Sequence, residues 1–287
     1  MDESGFLLCP KCGKVIAPKG FQNISNFTSS DKSLITVLAC MNAAGLFLKT
    51  LIVYAGHRFS YSPLEEFPDA VFGRTNTGWM DSELFHTWLK DVFEPALEEH
   101  SIKRPVVLFV DGHSTHSTLA ASKFCRENNI VLYCLLEHGS HLMQPCDVGL
   151  FSTLKTTWRQ AVRNYQIKNV GDFVTRSKFA GVFREAWDQA CTVQVSVKGF
   201  RESGLFPFDP SKVLGTLKME PSKTFSGSQR FQPEMSSSAI SHLSPTGLPE
   251  NAPDASFDNE TAPTGVVEVS NNKPDNHEQS SDNDTVS

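Results

Sequence analysis

The run Val106-Val-Leu-Phe-Val110, which stops abruptly at Asp111, constrains the fold more than any other stretch of the sequence. Five consecutive apolar residues, three of them β-branched, fit a strand buried on both faces, the environment of a sheet with helices on either side. Residues 117–128 then have helical character and 130–136 extended character. Strand, helix and strand in that order imply a parallel crossover and an α/β fold. Asp111, at the carboxyl end of the buried strand, stands where such folds build their sites.

The rest of the chain is read around this unit. Residues 34–40 and 46–54 are apolar runs separated by Met41-Asn-Ala-Ala-Gly45, which predicts a hairpin of two central strands. Residues 6–9 and 14–17 flank Pro-Lys-Cys-Gly and suggest a shorter hairpin. Leu84, Phe85, Trp88, Leu89, Val92 and Phe93 recur at helical spacing, so a helix capped by Ser82 is expected to run to about His100. Further helices are expected over 147–165 and 179–190, and the proline-punctuated turn 204–210 closes the domain.

From about Lys212 onward the sequence becomes Ser, Pro, Asn, Asp, Thr and Gly, which cannot bury enough apolar surface to offset its ordering entropy. Residues 1–211 are therefore expected to form one folded domain and 212–287 a disordered acidic tail. Residues 221–287 hold ten acids against Lys223, Arg230 and Lys273, leaving 23 basic and 22 acidic residues in the remainder. A near-neutral folded part argues neither for nor against a nucleic-acid partner. Seven scattered cysteines without a secretory leader point to a reduced, intracellular protein, and no apolar run approaches a membrane span. Cys9-Pro-Lys-Cys12 has the spacing of half a zinc site, but nothing completes it, and ordinary thiols in a hairpin explain it as well. No phosphate-cradling glycine loop and no nucleophile elbow is present.

Three aspartates stand out by position: Asp2 at the start, Asp111 after the buried strand, and Asp147 after Gln144-Pro145 at the start of a helix. Carboxylates at strand ends and a helix start can converge on hard divalent cations, and a pair of such ions supports in-line phosphodiester displacement. Plain capping by Asp147 and Asp111 is the competing explanation. His113, His116, His138 and His141 cluster around the two later acids and could touch phosphate or simply brace the turns. Lys155, Arg159 and Arg163 recur every fourth residue, either as a stripe that tracks a DNA backbone or as a solvated helix face. Trp158 and Trp187 sit among helical apolar positions and are expected in the core.

The sequence around these acids resembles the pogo/Tigger/jerky group of DDE transposases, related to centromere protein B and to the mariner superfamily. Asp2-Glu-Ser-Gly-Phe with Lys14-Val-Ile-Ala-Pro-Lys-Gly20 is similar to the first-aspartate segment. Leu108-Phe-Val-Asp-Gly-His-Ser-Thr-His116 is similar to the second, and His138-Gly-Ser-His-Leu-Met-Gln-Pro-Cys-Asp-Val-Gly-Leu-Phe151 to the third. Asp147 lies thirty-six positions after Asp111, and Gly199-Phe-Arg-Glu-Ser-Gly-Leu-Phe-Pro-Phe208 resembles the closing segment.

The resemblance implies a ribonuclease H-like fold, a mixed central sheet flanked by helices. It implies Asp2, Asp111 and Asp147 as catalytic residues and as ligands of two Mg2+ or Mn2+ ions, acting on DNA in strand cleavage and then strand transfer. His113, His116, Lys155, Arg159 and Arg163 are the candidate nucleic-acid contacts. DNA is the implied partner and the nucleus the implied location; self-association is left open, and no membrane association is expected. Two departures bear on activity. Family members carry a helix-turn-helix region ahead of this core, for which there is no room here. Asp2 follows Met1 directly, so its strand is expected to be cut short and its carboxylate frayed. A domesticated, non-catalytic DNA-binding or chromatin protein, or a fragment of a longer transposase, therefore stands as the alternative.

Overall fold

The computed structural model describes residues 1–10, 33–56, 58–136 and 139–215, together with the backbone of 266–268. Strands β1 (Asp2–Leu7), β2 (Leu34–Ala39), β3 (Leu51–Ala55) and β4 (Val71–Thr75) form one sheet in that order. The first two junctions are antiparallel and β3–β4 is parallel. β5 (Val106–Val110) and β6 (Ile130–Cys134) pair in parallel across helix α3 (Leu119–Glu127), the crossover expected from the buried run. The Met1 nitrogen donates to the Phe109 carbonyl at 2.9 Å, which sets the start of β1 beside the end of β5. The run β4-β3-β2-β1 and the β5–β6 pair thus stand side by side, joined at that bond, in a mixed α/β fold.

Both faces of the β1–β4 sheet are covered, and strand alternation decides which residues meet which layer; β5 and β6 instead bury one face, through Leu108, Val110 and Ile130, and leave Val107, Val131 and Tyr133 exposed, so the burial on both faces expected of the Val106–Val110 run is not found. Ile35, Val37 and Ala39 of β2, with Phe6, Leu8, Ile52 and Tyr54, pack under α5 (Phe151–Lys168) and α6 (Phe179–Ala190). Leu38, Leu51, Val53 and Val71 point the other way, into a second cluster with α3 and the helical stretch after β4. That stretch is α1 (Ser82–Trp88), a π-helical turn (Leu89–Phe93) and α2 (Glu94–Glu99), close to the single helix expected. Its cap is Asp81, whose Oδ1 accepts from the Leu84 amide at 2.8 Å, and not Ser82. Trp158 and Trp187 both lie in the first cluster, and the Trp158 indole also donates to the Leu7 carbonyl at 2.9 Å, tying α5 to β1.

Several elements lie outside the sequence-based expectations, β4 and α7 the largest among them. β4 contains Gly73, where a Cβ would sit 2.7 Å from the Leu84 side chain, so glycine lets α1 press onto the strand. Helix α7 (Val193–Glu202) packs against a π-helical turn (Cys146–Leu150) that precedes α5. Two four-residue helices complete the described fold, α4 (Ser140–Met143) and α8 (Ser211–Leu214). The expected hairpin over 14–17, Cys12 and His138 lie outside the described residues, as does most of the expected tail. Within that tail β7 (Val266–Glu268) pairs antiparallel on β4.

Candidate active site

Asp2 is not frayed. It opens β1 opposite Ala39, only 7% exposed, and the residue before it is held by the Phe109 carbonyl and by Gln144, whose Nε2 donates to the Met1 carbonyl. Its Oδ1 accepts from the Glu3 amide at 2.9 Å. The strand period puts Asp2 on the same face as Phe6, whose ring meets Trp158 and Phe183 edge-on, so Asp2 looks toward the α5 side of the sheet.

Asp147 lies on that side, as the second residue of the π-helical turn before α5. The cap position of that turn is taken by Pro145 and not by Asp147, so simple helix capping does not explain it. Burial pushes the Asp147 carboxyl up, Lys155 pulls it down, Asp111 pushes it up and His141 pulls it down. Burial also drives the Asp2 carboxyl up, to about 8, with the Asp147 and Glu3 charges adding to the effect. Asp2 therefore feels the charge of Asp147, and Asp147 that of Asp111, which links the three acids although Asp2 and Asp147 come from segments over a hundred residues apart.

Asp111 is held from the other side. Its Oδ1 accepts from the His113 amide at 3.2 Å and from His116 Nδ1 at 2.7 Å, and His116 Nε2 reaches Glu3 Oε1 at 3.1 Å. Burial opposes ionisation of Asp111, yet the His116 hydrogen bond and charge hold its carboxyl below the usual range. Burial likewise opposes the imidazolium, but Asp111 and Glu3 push His116 up to about 9, so both ring nitrogens carry protons at neutral pH and both donate. His116 is 2% exposed and has no nitrogen left to offer a phosphate. His113 is exposed, its Nδ1 2.9 Å from Thr115 Oγ1.

A pH test follows from the raised His116 value. The charged pairing contributes its full stability below the unfolded pKa of 6.5 and loses it as pH rises through about 9. His116→Ala is expected to cost about 2–3 kcal/mol at pH 6, since it leaves two carboxylates facing each other without a cation. The gap from wild type, measured by urea unfolding, should narrow between pH 7 and 10; a constant gap would mean that the ring is held neutral.

Lys155, Arg159 and Arg163 are exposed along one face of α5. Lys155 lies near Asp147, whose carboxyl it pulls down, and Arg159 is steadied by the Lys155 carbonyl and Thr156 Oγ1, each at 3.1 Å. The stripe thus starts at the carboxylates and leads away from them.

Two neighbours of the site were not singled out by sequence reasoning. Glu3 anchors His116; the one available signal was that a residue next to Asp2 in a strand must face the opposite side of the sheet. Gln144 is fully buried, and its Oε1 has no hydrogen-bond partner among the described residues. The arrangement is an electrostatic cluster and not a closed ligand set: among the described residues no three His, Cys, Asp or Glu stand close enough to hold an ion together.

Residues 32–197, more than half of the chain and including Asp111 and Asp147, match the family model described as DDE superfamily endonuclease. This chain belongs to that family. The Jerky protein of Mus musculus is 29% identical over 127 residues, covering 42% of this chain and 22% of that protein. The Jerky protein homolog of Homo sapiens is 29% identical over 164 residues, covering 52% and 27%. A protein of Cochliobolus lunatus named MFS-type transporter clz9 is 29% identical over 224 residues, covering 75% of this chain and 24% of that protein. The chain spans about a quarter of the length of these relatives. Among its described residues no helix is long and apolar enough to cross a membrane. Of solved structures, the Mos1 transposase paired-end complex with left transposon end aligns over 68% of this chain and 54% of that one, with 11% identity and a TM-score of 0.40. The Mos1 strand transfer complex aligns over 68% and 53%, with 12% identity and a TM-score of 0.41.

Proposed function

We propose that this DDE-family domain is the core of a metal-dependent DNA endonuclease of the transposase kind, cutting and joining phosphodiester bonds in the nucleus. The observation that carries the reading is the position of Asp147, whose charge acts on Asp2 while it feels that of Asp111, linking the three acids across a ribonuclease H-like sheet. The donor chemistry fits divalent magnesium or manganese: hard carboxylate oxygens, crowded enough that burial and a neighbouring charge keep Asp2 protonated below about pH 8. Asp2, Asp111 and Asp147 would hold the ions, which when bound supply an activated water and stabilisation of the leaving oxygen. Asp2 contributes from a paired strand, and Asp111 through a carboxylate fixed by His116. Lys155, Arg159 and Arg163 would seat the phosphate backbone leading into the site.

The second reading, a DNA-binding protein without catalysis, is favoured by the absence of a closed three-ligand group among the described residues. A nicking assay on supercoiled plasmid separates the two. The enzymatic reading expects cuts with Mn2+ that vanish in EDTA. DNA binding with no cutting at any Mn2+ concentration would leave the non-catalytic reading standing.

A further inference from the structure

We propose that Glu3 and His116 are positioning residues for Asp111: the imidazole, bracketed by the two carboxylates, ties Asp111 Oδ1 into the fold and leaves Oδ2 as the atom offered to a divalent cation. The inference rests on the metal-dependent reading above and adds to it the means by which one ligand is aimed.

Oδ1 of Asp111 already takes two hydrogen bonds, from His116 Nδ1 at 2.7 Å and the His113 amide at 3.2 Å. Oδ2 has none among the described residues. The imidazole cannot turn freely, because its Nε2 is bound to Glu3 at 3.1 Å and the Phe85 ring lies against it, centroids 4.6 Å apart. His116 is 2% exposed and the Glu3 side chain 14%, so water competes little for these bonds. Asp111 itself follows the last residue of β5, beyond the paired register, so without this brace only the longer bond from the His113 amide steadies its carboxylate. A ligand needs to be held within about 0.5 Å of its working position.

The chain economy is in β1. Adjacent strand residues face opposite sides, so the Asp2-Glu3 pair sends one carboxylate toward Asp147 and the other, through His116, toward Asp111. One strand thereby sets the relative placement of two of the three acids.

The test uses the full chain and Mn2+ alone, followed by electron paramagnetic resonance, with DNA cleavage measured separately. Glu3→Gln keeps an acceptor for Nε2 and is expected to hold Mn2+ within about threefold of wild type. Glu3→Ala and His116→Asn are expected to weaken Mn2+ binding about 10- to 100-fold, the range seen when groups behind a metal ligand are removed. They should lower kcat while leaving KM for DNA unchanged, and Glu3→Gln should rescue what Glu3→Ala loses. A fall in KM-side affinity alone, or wild-type Mn2+ binding in both Glu3→Ala and His116→Asn while Asp111→Asn is impaired, overturns the positioning role and spares the metal reading. If His116→Asn does not fold, the Glu3 pair decides by itself. Failure of the wild type to bind Mn2+, or indifference to Asp111→Asn, removes the metal reading and this inference with it.

Discussion

Replacing Asp2 with Asn is expected to make the protein more stable and less active at the same time. The Asp2 carboxyl is raised from 3.8 to about 8, chiefly by burial and then by Asp147. Between those values the folded state keeps a proton that the unfolded state gives up, so stability falls as pH rises across that window, and the full penalty is present above about pH 8. Asn cannot ionise, and its Oδ1 still accepts from the Glu3 amide. At pH 8.5 in EDTA, Asp2→Asn should therefore unfold at higher urea, a gain of about 1–3 kcal/mol, and the gain should vanish near pH 4. Divalent cations should reverse the order. A saturating ion at a hundred times its Kd stabilises the wild type by about 2.7 kcal/mol, and the variant, short of one ligand, gains much less. Cleavage should fall by roughly 10²- to 10³-fold, the several kcal/mol that a lost metal contact removes from transition-state stabilisation. If Asp2→Asn melts below wild type in EDTA at pH 8.5, Asp2 is not held under charge repulsion and its place in the site has been misread.

The same tension explains which parts of this protein were legible in its sequence. The unit β5-α3-β6 was readable because its strands are short uninterrupted apolar runs on either side of a helix, although burial on both faces did not follow, since Val107 is 48% exposed and only Leu108 and Val110 of β5 are buried; α6 was readable to its exact ends because Phe179, Val182, Phe183, Ala186 and Trp187 mark one helical face. β4 was not, because its central residue is Gly73, chosen by the Leu84 side chain above it and not by strand propensity. α7 was not, because its buried positions are Ser196 and Gly199, small groups that admit a neighbouring backbone and leave no apolar stripe. Asp111 and Asp147 announced themselves by standing at the ends of patterned segments. The Glu3–His116–Asp111 chain did not, since two of its members are 113 residues apart and only the pairing of the sheet brings them together. The expected frayed Asp2 failed for a related reason: six paired positions between β1 and β2 and the bond to Phe109 fix a residue that sequence position alone marks as loose.

Gly149→Ala is the second change expected to act strongly, and it tests how Asp147 is held. Gly149 lies in the π-helical turn two residues after Asp147, and a Cβ there would stand 2.6 Å from Gly199 Cα and 3.0 Å from both the Gly199 nitrogen and the Val195 carbonyl oxygen. All three are backbone atoms of α7, so no side chain can swing aside. Gly199 is equally constrained, since a Cβ on it would meet the Pro145 carbonyl at 2.6 Å. Either α7 backs away or the turn rotates, and the overpacking is expected to cost about 1–3 kcal/mol. Rotation of the turn carries Asp147 with it, and a misplacement of about 1 Å can lower the rate a hundredfold. Gly149→Ala should therefore lose cleavage well beyond what its stability loss explains, and its rise in melting temperature with Mn2+ should shrink. Ser152→Ala, exposed in the first turn of α5, should change neither. Loss of stability with cleavage and the Mn2+ response both intact would mean that α7 retreats alone, and that Asp147 is placed by β1 and Gln144 without help from the helix crossing.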